Sequence, residues 1–224
     1  MRAMILAAGR GERLRPLTDR VPKPLIEVGG KPLIVHHLEA LARAGFGQVV
    51  INLAWLGEQI RQTLGDGQRW NLEIHYSPEP DGALETAGGI VQALPLLGEK
   101  PFLVLSGDVY CDYPLHQLRQ GLPNSLGHLL MVDNPAHHPH GDFRLGGHGV
   151  LEKGSPALTY SGIGVLHPDL FRGLAAGRLP LRPLFDQAIA EQSLTGEHYA
   201  GLWSDVGTPE RLTTIRRRLT PHPS

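Results

Sequence analysis

An α/β fold with a mostly parallel open sheet is predicted by three observations on this 224-residue chain. Short apolar runs alternate with stretches of helical periodicity. Gly (28) and Pro (19) are numerous and aperiodic, and they fall between those runs as turn residues. The 41 % hydrophobic content suffices for a substantial core, with about 70 % of the unfolded surface buried. Disulfides are not needed for this, and the single cysteine, Cys111, could not form an internal one.

The elements follow in order. Residues 3–7 form the first strand. Leu33, Ile34, Leu38, Leu41 and Ala42 then recur at helical spacing, and Gly45 is placed to end that helix. A strand at 48–53, a helix at 58–64, a strand at 72–76, a helix at 86–94 and a strand at 102–105 complete a β-α-β-α-β-α-β first half. Strands at 128–132 and 159–166 lie in a stretch broken by Gly, Pro and His clusters, which reads as a small antiparallel layer added to the parallel sheet. Helices are expected at 183–191 and 209–219, the second with Thr208 as N-cap and Pro209 at its first position. Residues 220–224 are expected to fray. No internal repeat or long linker divides the chain, so residues 1–224 read as one domain with a Rossmann-like, mostly parallel open sheet flanked by helices.

Composition narrows the function. Twenty-one basic and 22 acidic residues give a net charge of −1, and the only basic block is Arg216-Arg217-Arg218, which excludes a general nucleic-acid binder. Arg2 and the apolar residues after it are too short for a signal peptide, because Arg10, Glu12, Arg13 and Arg15 follow at once. No run approaches the ~20 apolar residues of a membrane span. The chain is expected to be soluble, cytoplasmic, monomeric and without membrane or nucleic-acid partners.

Three segments carry chemistry. Leu6-Ala7-Ala8-Gly9-Arg10-Gly11-Glu12-Arg13-Leu14-Arg15-Pro16-Leu17-Thr18, with Pro22-Lys23-Pro24, begins where the first strand ends. Open α/β sheets place ligands there, and the N–H groups of a Gly-rich turn make an anion cradle. Arg13 and Lys23 add phosphate-binding charge. Leu14 stands where a dinucleotide fingerprint needs Gly or Ala, and no Gly-Lys-Ser/Thr of a Walker loop follows. Ser106-Gly107-Asp108-Val109 ends another apolar run and points a carboxylate into the same crevice. Trp203-Ser204-Asp205-Val206-Gly207-Thr208-Pro209 contains Asp205, which helix capping does not explain.

Taken together and in this order, these segments resemble the sugar-1-phosphate nucleotidyltransferases over residues 3–212. The resemblance implies a catalytic set of Arg13, Lys23, Asp108 and Asp205, with Asp108 and Asp205 holding Mg²⁺. It implies nucleotide binding by Ala8, Gly9, Gly11, Glu12, Arg13, Lys23 and Gly107, with Ala83 and Leu84 at the base. Glu85 and Thr86 either belong to that base loop or cap the helix after it. Ser106, Gly141, Asp142, Glu152, Ser161 and Gly162 are assigned to the sugar, Glu152-Lys153-Gly154 standing where many relatives carry Glu-Lys-Pro.

The partners implied are a nucleoside triphosphate and a sugar 1-phosphate. The compact form, with no C-terminal β-helix, the start Met4 to Arg13 and Gly141-Asp142-Phe143-Arg144-Leu145 most resemble the members of that family that use UTP and N-acetylmuramate 1-phosphate in peptidoglycan recycling. Guanylyl transfer to mannose 1-phosphate and thymidylyl transfer to glucose 1-phosphate are the enzymatic alternatives. An inactive nucleotide-sugar sensor is the non-enzymatic one. Arg144 or the backbone of Gly146-Gly147 is the expected partner of the lactyl carboxylate, and His137-His138-Pro139-His140 reads as a solvated loop.

Overall fold

The computed structural model describes residues 1–79, 82–120, 122 and 124–219, so the fraying expected at 220–224 lies outside the described residues. Seven strands form the central sheet: β1 (Ala3–Leu6), β4 (Gln48–Leu53), β5 (Glu73–Pro78), β6 (Phe102–Ser106), β8 (Gly127–Val132), β11 (Thr159–Leu166) and β12 (Leu194–Tyr199). Three two-stranded ribbons flank it, formed by β2 (Glu27–Val28) with β3 (Lys31–Pro32), β7 (Val109–Cys111) with β13 (Trp203–Asp205), and β9 (Arg144–Leu145) with β10 (Leu151–Glu152). The helices are α1 (Leu33–Arg43), α2 (Gly57–Leu64), α3 (Glu85–Leu97), α4 (Arg182–Ala190) and α5 (Pro209–Leu219).

The sheet order is β12-β8-β11-β6-β1-β4-β5. The β12–β8, β6–β1, β1–β4 and β4–β5 pairs are parallel, and β11 alone runs against its neighbours. From β1 the chain moves to β4 and β5 on one side and returns to β6 on the other. The carboxyl end of β1 is therefore a topological switch point, where crevices form in open sheets.

Alternation along the strands builds two cores. Ala3, Ile5, Val49, Ile51, Leu103 and Leu105 face α1 and α2, contributing to one buried cluster with Ile34, Leu38, Leu41 and Ile60. Met4, Val50, Phe102 and Val104 face the other way, packed with Ala87, Ile90 and Ala93 of α3 and with Phe185 and Ile189 of α4. A third cluster packs Val206, Leu212 and Ile215 against Leu14, Ile26, Val28 and Leu33, which docks α5 on the segment after the Gly-rich loop. Among the described residues no helix is long and apolar enough to cross a membrane.

Two differences from the sequence reading matter. The long strands of the antiparallel stretch, β8 and β11, join the central sheet, which leaves β9 and β10 as a small separate ribbon. β12, unseen in the sequence, continues the sheet at its edge; its Thr195, Glu197 and His198 sit on half-exposed positions and hide the alternation.

Candidate active site

The crevice is built from the end of β1. The Ala7 N–H donates to Asn52 Oδ1 on the neighbouring β4 at 2.7 Å, so the chain leaves the sheet at a fixed point. Gly11 has φ +69°, and a Cβ there would lie 2.9 Å from Thr18 Cγ2. That space is taken because the fully buried Thr18 donates its hydroxyl to Gly11 O at 2.8 Å and closes the loop on itself. Arg10 braces the outside, bonded to Thr18 O at 3.0 Å and Asp19 Oδ1 at 2.9 Å, with its guanidinium 3.6 Å from the Trp55 ring centre. That partner, ahead of Arg15, holds the exposed Asp19 carboxyl below its ordinary range. Arg13 makes no hydrogen bond or ion pair among the described residues and lines a cavity instead.

The second wall is the turn between β6 and β7. The Gly107 N–H donates to Leu6 O at 2.9 Å, and a Cβ on Gly107 would stand 2.6 Å from that oxygen, so only glycine permits this approach. Asp108 follows with its side chain 40 % exposed, and the nearly buried Lys23 places Nζ 2.5 Å from Asp108 Oδ2. Beneath the turn, the buried His37 sits beside the backbone of Val109 and Ser106; burial, with His36 nearby, lowers its pKa to about 4.

Asp205 reaches the same turn from β13. It pairs in register with Val109, and the following Val206 N–H donates to Asp108 O at 2.7 Å. The two aspartates, almost a hundred residues apart in sequence, thus come from adjacent strand ends. Arg211 Nη1 lies 2.8 Å from Asp205 Oδ2, and His137 Nε2 lies 3.4 Å from Oδ1 and 2.5 Å from Arg211 Nη1. Two carboxylates of hard oxygen, partly exposed and already facing cations, form the donor set Mg²⁺ takes when substrate phosphates complete its shell. No cluster of three His, Cys, Asp or Glu suited to a metal occurs among the described residues.

Two cavities meet here. One of 320 Å³ is lined by Ala8, Gly9, Gly11, Lys23, Ala83 and Gly107, which are expected nucleotide residues, and by Asp108, the expected metal ligand. The other, 690 Å³, is lined by Arg13, Asp142, Ser161, Gly162, Trp203 and Asp205, among others. Leu6, Glu85, Thr86 and Ser106 border both. Gly141, with φ +63°, turns the chain so that Asp142 Oδ2 accepts from the Tyr160 N–H at 2.9 Å.

Not every expected residue lies in the cavity assigned to it. Glu152 and Arg144 line neither cavity; they stand opposite each other in the β9–β10 register, with the guanidinium bonded to the carboxylate. Glu12 is exposed and lines neither cavity, and Arg13 belongs to the larger cavity, not to the Gly-rich one. The Leu84 N–H is donated to Glu79 Oε2 at 2.8 Å, and Leu84 lines neither cavity. The exposed His137 and half-buried His138 of the expected solvated loop also border the larger cavity, 3.4 Å from Asp205 and 3.3 Å from Asp142.

Residues missed in sequence include Asn52, Glu79, Arg182 and Arg211. Only Asn52 left a trace, as a polar residue inside the apolar run of β4.

Comparison with known proteins agrees with this geometry. The family model described as "Nucleotidyl transferase" matches residues 2–128. The chain is 51 % identical over 220 residues to an N-acetylmuramate alpha-1-phosphate uridylyltransferase of Neisseria meningitidis, covering 95 % of each. It is 32 % identical to the catalytic subunit beta of a Drosophila melanogaster mannose-1-phosphate guanylyltransferase, spanning 95 % of this chain and 61 % of that one. The fold matches a Bacillus anthracis structure assigned as a glucose-1-phosphate thymidylyltransferase, in complex with a sucrose, with a TM-score of 0.86 at 18 % identity over 100 % of this chain and 97 % of the other. HddC from Yersinia pseudotuberculosis, complexed with GMP-PN, matches at 0.80 and 20 % identity over 98 % and 99 %. With its Gly-rich loop, its lysine and its paired aspartates gathered at one switch point, the chain belongs to the nucleotidyl transferase family.

Proposed function

We propose that this protein transfers UMP from UTP to N-acetylmuramate 1-phosphate, giving UDP-N-acetylmuramate and pyrophosphate, as a single-domain cytoplasmic monomer serving peptidoglycan recycling. The observation that carries the transfer is the meeting of two cavities at Ser106 and Thr86, with Lys23, Asp108 and Asp205 grouped beside that junction. The choice of UTP and muramate rests on the 51 % likeness to the Neisseria uridylyltransferase.

In this reading the triphosphate occupies the smaller cavity against the loop at 8–11, and the sugar phosphate enters the larger one. A phosphate oxygen of the sugar attacks the α-phosphorus in line, a new P–O bond forms, and the bond to the bridging oxygen of the leaving pyrophosphate breaks. The nucleophile is already anionic, so the site needs no general base, only positioning and charge. Lys23 neutralises the triphosphate, and Arg13, free of protein partners among the described residues, meets the phosphates from the sugar side. Asp108 and Asp205 would hold Mg²⁺, which when bound screens the charge building on the phosphate oxygens.

The lactyl carboxylate finds its cation in Arg182 instead of Arg144. Arg182 lines the larger cavity 4.5 Å from the Phe143 ring centre, with Nε on Asp186 Oδ1 at 3.1 Å and longer contacts from Nη1 to Asp142 Oδ1 at 3.6 Å and from Nη2 to Asp142 O at 3.5 Å. A product screen of UTP, GTP and dTTP against the 1-phosphates of N-acetylmuramate, N-acetylglucosamine, mannose and glucose tests the reading. UTP with N-acetylmuramate 1-phosphate is the expected best pair. A better rate with glucose 1-phosphate overturns the sugar, and no pyrophosphate release with any pair makes the protein a sensor.

A further inference from the structure

The site assigned to nucleotide binding contains a buried polar relay that phosphate and sugar binding do not require. Asn52 and Glu79 are each 3 % exposed. Asn52 Oδ1 accepts from the Ala7 N–H at 2.7 Å, at the root of the Gly-rich loop. Its Nδ2 donates to Glu79 Oε1 at 2.7 Å, and Glu79 Oε2 accepts from the Leu84 N–H at 2.8 Å, in the loop beside the base. Space is kept for this chain of bonds by α3: a Cβ on Gly89 would stand 2.6 Å from Glu79 Oε1 and 2.9 Å from Asn52 Nδ2. Both side chains also line the smaller cavity.

We propose that Asn52 and Glu79 are positioning residues that couple the base loop at 82–84 to the phosphate loop at 7–11, so that a seated nucleobase fixes the cradle for the triphosphate. The proposal rests on the nucleotide-binding reading above. Each link is a single bond with one donor and one acceptor, and the carboxylate serves two donors at once. A movement of Leu84 is therefore passed to Ala7 through two side chains buried in low dielectric, where an unmade bond is costly. By linkage, the base must tighten phosphate binding by the same factor as phosphate tightens base binding.

The donor and acceptor pattern dictates the test. Glu79→Gln leaves one oxygen for two donors and turns an NH₂ toward the other. Adding Asn52→Asp restores every bond, because the new carboxylate accepts from Ala7 and from the glutamine amide, while the glutamine oxygen accepts from Leu84. The affinity of inorganic tripolyphosphate in Mg²⁺ buffer is measured by calorimetry with and without saturating uridine. Wild type should bind it about five- to tenfold more tightly with uridine present. Glu79→Gln should lose that gain, and the double variant should recover it.

A purely structural role would lower the melting temperature without erasing the gain. Should Glu79→Gln not fold, Asn52→Ser, which breaks the same chain at its middle, is read in the same way. A wild type with no gain for any nucleoside, or a Glu79→Gln protein that keeps it, overturns the proposal. A gain given by guanosine or thymidine in place of uridine supports the relay while correcting the base.

Discussion

At the scale of single residues, the site is a set of charges held in pairs. Lys23 meets Asp108, and Arg211 meets Asp205, at 2.5 and 2.8 Å. Removing one carboxylate charge keeps the side chain's shape but takes away a proposed metal ligand. Asp108→Asn and Asp205→Asn should therefore each lower turnover by about a hundredfold or more at saturating Mg²⁺, with the circular dichroism spectrum of the folded protein unchanged. A steady-state rate within roughly threefold of wild type would remove the metal assignment.

The two arginines considered for the lactyl carboxylate should separate cleanly. Arg182→Ala should reduce kcat/KM for N-acetylmuramate 1-phosphate by about ten- to a hundredfold, the worth of one charge-assisted hydrogen bond, and leave N-acetylglucosamine 1-phosphate nearly unaffected. Arg144→Ala, which only frees Glu152 on the β9–β10 ribbon, should change neither. Equal losses on both sugars in Arg182→Ala would place that guanidinium on the shared phosphate instead of on the lactyl group.

At the scale of elements, what was legible followed one face of the chain's chemistry. β4, β11 and α5 match their predicted bounds, because Val49-Val50-Ile51 and Ile163 to Leu166 are apolar runs and Thr208-Pro209 is a helix start. β12 was hidden because an edge strand carries polar residues on its open positions, and β13 because only three residues pair. α3 runs past the expected end at Leu94, through Pro95, because Leu97 still has a buried place in the core.

The candidate site was legible where a motif is local, as in Gly9 to Gly11 and Ser106 to Asp108. It was not legible where partners meet only in space: Glu152 turned to Arg144, and Asn52 to Glu79. The docking of α5 is a similar long-range contact, and it carries a consequence for the site. Ile215 is fully buried between α5 and the segment holding Leu14, Ile26 and Val28. Ile215→Ala should cost about 2–5 kcal/mol in chemical denaturation. If α5 supports the Gly-rich loop, the KM for UTP should rise in the folded protein as well; an unchanged KM would make α5 a stabiliser alone.

At the scale of the whole molecule, stability and site share one buried group. His37 lies on α1 under the Gly107-Asp108 turn, only 5 % exposed, with no hydrogen-bond partner for Nε2 among the described residues. Burial first, and then His36, lower its pKa to about 4 from the ordinary 6.5, while the Asp108 carboxylate acts in the opposite sense. The folded protein therefore keeps His37 neutral over a range in which the unfolded chain binds a proton.

Stability from this group is complete above about pH 6.5. It falls as pH drops toward 4, and it changes no further below that. The full difference is about 3 kcal/mol, or roughly 10 °C in melting temperature for a chain of this size. The half-buried His36 on the same helix, also lowered chiefly by burial, adds to this slope in the same sense, whereas Asp19 and Glu210, whose carboxyls local hydrogen bonds lower, contribute at more acid pH. His37→Leu should flatten the limb between pH 6.5 and 4 in melting curves taken without ligand. If the variant keeps the wild-type slope there, acid destabilisation arises elsewhere, and His37 is protonated in the fold at a pH much nearer that of the free side chain.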